Sequence, residues 1–167
     1  PAFEAAAGGK IQQVVQTYKT DVTTQSAGAY GTYYDISGMS RAITPSKASS
    51  KILIEFVCVV GQTNNYGSLK AQGDIAGGGY ADIGLADAAG SRTRGWIGNL
   101  YMATDGSRAQ PFCHSYLWTP SYTLTDVITV KLLWSNAGIN VLNRSWATTD
   151  NAGHFVGTSS LTLWEIN

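Results

Sequence analysis

The chain is poor in charge, and this limits the partners open to it. Only 13% of its 167 residues are charged, about half of the roughly 25% found in ordinary domains. The 11 basic and 11 acidic residues balance, so no basic excess exists to attract nucleic acid or an anionic membrane. We expect no nucleic-acid partner, and a neutral chain with 9 Tyr and 5 Trp favours an assembly over a free monomer.

Long apolar runs are also missing. No segment approaches the roughly 18 apolar residues of a membrane span, so membrane insertion is not expected. The start, Pro1–Glu4, has neither a basic region nor an apolar run of signal-peptide length.

Cysteine and histidine occur only twice each. Cys58 and Cys113 lie in β-favouring segments, which favours two buried thiols, although the sequence leaves a disulfide open. His114 and His154 lack carboxylates at ligand spacing, so we expect no metal site.

Signals for catalysis are missing as well. No nucleophile-elbow sequence is present. The Gly77-Gly78-Gly79 run precedes no Gly-Lys-Ser/Thr phosphate loop. The spacing of Asp74, Asp82 and Asp87 matches no calcium loop. We expect no catalytic residue, no cofactor and no enzymatic activity.

What is present is a strong β signal at Ser50–Val60 (SKILIEFVCVV), which is bounded by turn signals. Alternation gives it two mostly apolar faces. One face holds Ile52, Ile54, Phe56 and Cys58, and the other holds Leu53, Glu55, Val57 and Val59. The core of a small all-β domain covers only one face, so the second needs another cover. Another copy of the chain is favoured over a three-layer monomer or a strand end beneath a loop.

Further β-favouring segments, separated by turn signals, predict an all-β sandwich or barrel. They are Lys10–Tyr18, Tyr30–Ile36, Arg41–Thr44, Tyr80–Ala86, Gly95–Met102, Pro111–Trp118, Asp126–Ser135, Ile139–Asn143 and Ser159–Ile166. Tyr66–Tyr80, with its glycine run, suits neither a helix nor a regular strand. We divide the chain into an N-terminal arm, residues 1–9, and one domain, residues 10–167.

Several motifs, in order, resemble a module of phage virion proteins. Gly8–Thr17 (GGKIQQVVQT) is similar to the module's opening GGKVLQVVQT, and Ile43–Ile54 (ITPSKASSKILI) to its ITPSSASSKILV. Ser159–Ile166 (SSLTLWEI) resembles its terminal SSITLMEI. Thr119–Ser121 with Asp126–Lys131, and Asn140–Ser145 with Asp150-Asn151, match more loosely. Residues 66–108 depart from the pattern, and function-setting loops are expected there.

The resemblance implies an antiparallel jelly-roll sandwich of the tumour-necrosis-factor type, normally a homotrimer, with a structural and non-catalytic role. It implies that Lys10–Tyr18 pairs antiparallel with Ser159–Ile166. It also implies that the first, third-to-last and last strands share a sheet with Ser50–Val60, between the core and the trimer axis. The candidate trimer-interface residues are Leu53, Val57, Val59, Val127, Leu133 and Trp164.

Two functions fit this module. The first is a capsid decoration, or cement, protein on the outer surface of the virion, in contact with a major capsid or tail protein. The alternative is the receptor-binding tip of a tail fibre. We favour decoration, since the nine residues before the first strand reach about 30 Å at most, which suits an arm rather than a shaft. Phe3 would anchor this arm, with Gly8 and Gly9 as its hinge.

Large aromatic residues in polar loops form a further set of candidates. Such rings could stack on a host surface glycan, or fill core and trimer contacts. They are Trp96, Tyr101, Trp146 and Phe155. Asn143-Arg144-Ser145 matches a glycosylation sequon, to which we give no role in a bacterial host.

Overall fold

The computed structural model describes residues 10–63, 67–98 and 108–167. Every regular element in these ranges is a β-strand, which confirms the all-β prediction. The strands are β1 (Ile11–Lys19), β2 (Thr23–Gln25), β3 (Tyr34–Ile43), β4 (Lys51–Gln62), β5 (Ser68–Ile75), β6 (Ala81–Asp82), β7 (Ile97–Gly98), β8 (Gln110–Trp118), β9 (Ile128–Ser135), β10 (Asn140–Leu142) and β11 (Ser159–Ile166). No helix in the described ranges is long and apolar enough to span a bilayer.

The strands form two antiparallel sheets that pack as a jelly-roll-like sandwich. In the six-stranded sheet β4 is central: β8 lies along one edge, and β11 and β10 lie along the other. Strand β1 extends this sheet beyond β11, and β2 extends it beyond β10. The five-stranded sheet has the order β3-β9-β5-β6, and β7 also pairs with β5.

The core lies between the two sheets, and β4 contributes the face predicted for it. Ile52, Ile54, Phe56 and Cys58 are at most 2% exposed. Leu161 and Leu163 of β11 lie beside them and are fully buried. The opposing sheet supplies Ile128, Val130, Leu132 and Trp134 of β9. Burial of such side chains stabilises the fold by about 1.5–3 kcal/mol each.

The predicted pairing of the first and last strands is confirmed. Strand β1 runs antiparallel to β11, with Val14 opposite Trp164 and Tyr18 opposite Ser160. The pairing continues beyond both strands, since Lys10 and Asn167 exchange two backbone hydrogen bonds of 2.7 and 3.1 Å.

The prediction that Asp126–Ser135 shares a sheet with Ser50–Val60 is wrong. Strand β9 pairs with β3 and β5 in the five-stranded sheet, and β4 lies in the other sheet. Apolar residues on both faces of β9 suggested a strand lying between the core and a partner. Leu133 does not need a second copy of the chain to bury it. It lies between Asp35 of β3 and Lys70 of β5, and it is only 5% exposed within its own chain.

Strand β5 was not predicted at all. Its sequence SLKAQGDI contains two charged residues and Gly73, a composition that favours a loop. Gly73 lies beneath Trp118, and a Cβ atom there would be 2.5 Å from the indole ring. The glycine is therefore required by packing, not by a turn. The glycine run that follows does form a turn, with positive φ at Ala76, Gly77 and Gly79.

The other predicted segments differ from the observed strands mainly in where they begin and end. The end of Tyr30–Ile36 and most of Arg41–Thr44 lie in one strand, β3, whose register shifts between Asp35 and Ser40. Gly38, within the shift, has φ of +79° and lies over Lys19. Strand β6 is shorter than Tyr80–Ala86, and only part of Gly95–Met102 lies in the described residues.

Candidate interaction surfaces

The outer face of the six-stranded sheet carries an apolar row across four strands. Val14 of β1 is opposite Trp164 of β11, Trp164 is opposite Leu53 of β4, and Leu53 is opposite Leu117 of β8. Val14 and Leu117 are 45% and 47% exposed. Adjacent apolar side chains in register form a continuous patch rather than scattered exposure, and such patches mark contact sites.

Two further rows extend this face along the strands. A polar row holds Gln16, Thr162, Glu55 and Ser115. The row after it holds Tyr18, Ser160, Val57 and Cys113. A shallow depression of about 510 Å³ lies over β4, β8 and β11 between these rows, with Glu55, Val57 and Cys113 in its lining. Glu55 is the one ionised side chain in the three rows.

The outer face of the five-stranded sheet is different in character. Lys70 lies 2.6 Å from Asp82, and Lys131 lies 2.8 Å from Asp35. Each ammonium also lies over a tyrosine ring, that of Lys70 over Tyr33 and that of Lys131 over Tyr80. Ion pairs and cation–π contacts of this kind suit a solvated surface. The two sheets therefore present one apolar and one charged outer face.

The predicted interface residues do not lie together. Leu53, Val57 and Trp164 share the outer face of the six-stranded sheet. Val59 is only 7% exposed, and Gly157 of its own chain approaches it so closely that a Cβ atom there would lie 3.0 Å from Val59 Cγ1.

The remaining two candidates belong to the opposite side of the sandwich. Val127 precedes β9, and Leu133 lies on β9, so both belong to the five-stranded side. They therefore lie on the other side of the sandwich from Leu53, and the sequence missed Val14 and Leu117, which do share its row.

The four aromatic residues predicted as ligand-loop candidates lie in different surroundings. Trp96 packs on the core, with its ring centroid 6.1 Å from Phe56 and 5.1 Å from His114, and its indole N–H donates to Ile83 O. It is therefore a structural residue and not an exposed sugar platform. Tyr101 lies outside the described residues, as does the arm with Phe3, Gly8 and Gly9.

Trp146 and Phe155 lie in the loop between β10 and β11. Phe155 is 51% exposed beside a depression of about 260 Å³, whereas the indole nitrogen of Trp146 is buried and makes no hydrogen bond to a described residue. The base of this loop packs tightly on Gly61, where a Cβ atom would lie 2.7 Å from Trp146 N.

A buried carboxylate that the sequence did not single out joins three of the resembling motifs. Glu165 is fully buried, and its Oε1 accepts from Ser50 Oγ at 2.7 Å and from Ser46 N and Lys47 N at 2.7 and 3.1 Å. Its Oε2 accepts from Gln13 Nε2 at 2.8 Å. Burial alone would raise the pKa of Glu165, but the hydrogen bonds from Ser50, Gln13 and Ser46 outweigh it and lower the pKa.

Asn143, the sequon asparagine, is a structural residue. It is fully buried with φ of +67°, and its Nδ2 donates to Lys19 O and Asp21 O at 2.9 Å each. Its Oδ1 accepts from Ser159 Oγ at 2.5 Å. The side chain therefore joins the end of β1 to the start of β11 and is inaccessible to modification.

The two cysteines are free, so no disulfide forms. Cys58 is buried and its pKa is raised strongly by desolvation, whereas Cys113 is exposed, contrary to the prediction that both are buried. In the described residues, no three His, Cys, Asp or Glu side chains cluster as a metal site would require.

No protein-family model and no curated protein matches the chain. Among solved structures, the chain is similar to one described as infectious bursal disease virus, Gx strain, with a TM-score of 0.40 and 12% identity over 100% of this chain and 41% of that one. It is also similar to dimeric latent PorU from Porphyromonas gingivalis, with a TM-score of 0.35 and 9% identity over 96% of this chain and 14% of that one. The chain thus spans less than half of either, and likenesses this weak do not indicate function.

Proposed function

We propose that the chain is a structural protein of a phage virion, which assembles as a homotrimer and decorates the capsid surface. The observation that carries the proposal is the outer face of the six-stranded sheet. In its apolar row, Val14 and Leu117 are about half exposed, and Leu53 and Trp164 are only partly buried by the residues that the structure describes. Burying such a row between copies would supply the hydrophobic core that obligate interfaces require.

The contrast between the two outer faces supports this choice of interface. The face of the five-stranded sheet holds two ion pairs whose carboxylates, Asp35 and Asp82, remain accessible to water, whereas the apolar face gains by leaving water. In the proposed assembly the apolar faces meet and the charged faces point to solvent. The number three comes from the resemblance to the phage module, in which homotrimers are the norm.

The resemblance itself gains support from the Glu165 network. Gln13, Ser46 and Ser50, and Glu165 belong to the three most specific matching motifs. Motifs far apart in sequence, with side chains that meet at one buried carboxylate, are expected of a shared fold rather than of chance similarity. This favours a common architecture with the phage virion module, and with it the structural, non-catalytic role.

The first experiment measures assembly. Sedimentation equilibrium at micromolar concentration should give three times the 17.7 kDa of one chain. A single-chain mass under these conditions would overturn the trimer.

A second experiment separates decoration from the alternative, the receptor-binding tip of a tail fibre. A gold label on this protein should lie over the capsid in electron micrographs of virions, and a label confined to the tail would favour the fibre. Deletion of residues 1–8, or Phe3→Ala, should lower the binding of the trimer to particles that lack it. If the occupancy of the particles by the trimer is unchanged, attachment takes place through the sandwich loops and not through the arm.

A further inference from the structure

A depression on the charged side of the sandwich has the features of a ligand site. It has a volume of about 440 Å³, within the roughly 300–1,000 Å³ of small-molecule sites. Three parts of the chain meet there: the loop before β3, the outer face of β5 and β6, and residues 91–94. No interface or aromatic candidate from the sequence lies in its lining.

The floor of this depression holds a fixed cation. Lys70 is only 8% exposed, and its Nζ lies 2.6 Å from Asp82 Oδ1 and 4.3 Å from the centre of the Tyr33 ring. Tyr33 is fixed in turn, since its hydroxyl lies 2.7 Å from Ser68 Oγ and donates to Arg94 O at 2.6 Å. An ammonium carries three donor protons, so Lys70 can serve Asp82 and a ligand together.

The rim adds two further cations, Arg92 and Arg94, and the positive charge of Arg94 helps to lower the pKa of Asp82. Arg94 Nε donates to the backbone oxygen of Ala86 at 2.6 Å, and Arg92 Nη1 donates to that of Ala89 at 3.1 Å. Both arginines are thus oriented by neutral acceptors. With Lys70, the lining contains three cations against one carboxylate, Asp82, in a chain whose net charge is zero.

An aromatic ring and hydroxyl groups complete the lining. Tyr30 is 56% exposed at the rim, and Ser91 and Thr93 lie on the opposite loop. Exposed tyrosine rings stack on sugar faces, and hydroxyl groups exchange hydrogen bonds with sugar hydroxyls. Arginine and lysine select carboxylates by charge-assisted hydrogen bonds.

We propose that this depression binds an acidic saccharide, a sugar unit that carries a carboxylate. The carboxylate lies against Lys70 and Arg92, and the sugar ring lies on Tyr30. The site faces away from the proposed trimer interface, since it lies on the five-stranded side. The proposal does not depend on the oligomeric state, and it gives the protein a binding activity in addition to a structural one.

The test is a titration of the full chain with a galacturonic acid trisaccharide, followed by calorimetry and NMR, with neutral galactotriose as the matched probe. We expect saturable binding of the acidic trisaccharide and at least tenfold weaker binding of the neutral one. Arg92→Gln and Tyr30→Ala change exposed side chains, and each should weaken binding at least fivefold. Arg41→Gln is the control, since Arg41 is exposed on β3 and does not line the site.

Three results would overturn the proposal. The first is no saturable binding of the acidic trisaccharide at millimolar concentration. The second is equal affinity of the native chain and the Arg92→Gln and Tyr30→Ala variants, with melting temperatures showing that all are folded. The third is equal displacement by inorganic phosphate at the same concentration, which would indicate a simple anion site rather than a saccharide site.

Discussion

The carboxylate of Glu165 and the hydroxyl of Ser50 lie 2.7 Å apart although 115 residues separate them in the chain. Ser50 ends the turn that leads into β4, and Glu165 is the second-last residue of β11. Their hydrogen bond joins the turn to the closing strand. Since no cation pairs with Glu165 among the described residues, neutral donors alone hold this buried charge.

Glu165→Gln should lower the free energy of unfolding by about 2–4 kcal/mol at pH 7, because the amide cannot accept all of these hydrogen bonds. Because the pKa of Glu165 is lower in the folded state, its contribution to the free energy of unfolding is fully present above the pKa of the unfolded chain, roughly 4.3. That contribution is lost as the pH falls through the folded-state value. The difference in the free energy of unfolding between the native chain and the Glu165→Gln variant should therefore become smaller below about pH 4.

Urea unfolding at several pH values and one fixed protein concentration would measure this. Asp87→Asn, which removes an exposed loop carboxylate, is the control and should change little. A Gln variant as stable as the native chain at pH 7 would contradict the proposed role of Glu165.

A charge placed in the apolar row should disrupt assembly and spare the fold. Val14→Asp and Leu117→Asp replace half-exposed side chains, so a single chain tolerates them, whereas an assembled interface would bury an unpaired carboxylate. We expect folded single chains by sedimentation and circular dichroism. Val127→Asp is the matched control, since Val127 is 48% exposed on the opposite side and should leave the trimer intact. Trimers that persist in both row variants would exclude this face as the interface.

The reaction rates of the two thiols should provide a second test of the same interface. Cys113 lies opposite Val57 on the apolar face, and Cys58 lies in the core with a strongly raised pKa. In the Val14→Asp variant one thiol per chain should react quickly with a disulfide reagent, and the second only after unfolding. In the trimer Cys113 should be protected at least tenfold. Equal rates in the two forms would show that the contact leaves β8 uncovered.

Asn143→Asp should destabilise the chain by about 3–5 kcal/mol, because it places a buried charge against the carbonyl oxygens of Lys19 and Asp21. Asn151→Asp is the matched control. Asn151 Oδ1 accepts from Gly153 N in an exposed turn, and an aspartate can accept the same bond. Thermal melts of both variants test the difference. A small effect of Asn143→Asp would mean that the end of β1 separates easily from the rest of the sheet.

Much of the sandwich could be predicted, and the parts that could not have physical explanations. Ser50–Val60 and Ser159–Ile166 contain the residues that strands prefer, and β4 and β11 form there. Strand β5 was missed because Lys70 and Gly73 serve packing with distant residues, Tyr33 and Trp118, that no local pattern reveals.

The interface and binding predictions show the same limit. Alternation placed Leu53 and Val57 on the outer face of β4, but it could not show which strands lie beside them. Val127 and Leu133 were therefore grouped with Leu53, although they belong to the five-stranded side. The cations near Tyr33 come from β5 and from residues 92 and 94, so the folded chain was needed to bring them together.

The two backbone hydrogen bonds between Lys10 and Asn167 have a consequence for protein engineering. The ends of the domain meet at one edge of the sheet, so a short glycine-rich linker could join them without moving a strand. New termini could then be opened at Gly77–Gly79, where the turn is exposed and a Cβ at Gly77 or Gly79 would contact nothing within 4 Å. Such a circular permutant would keep both sheets and both outer faces, and a fused peptide would project from the turn between β5 and β6.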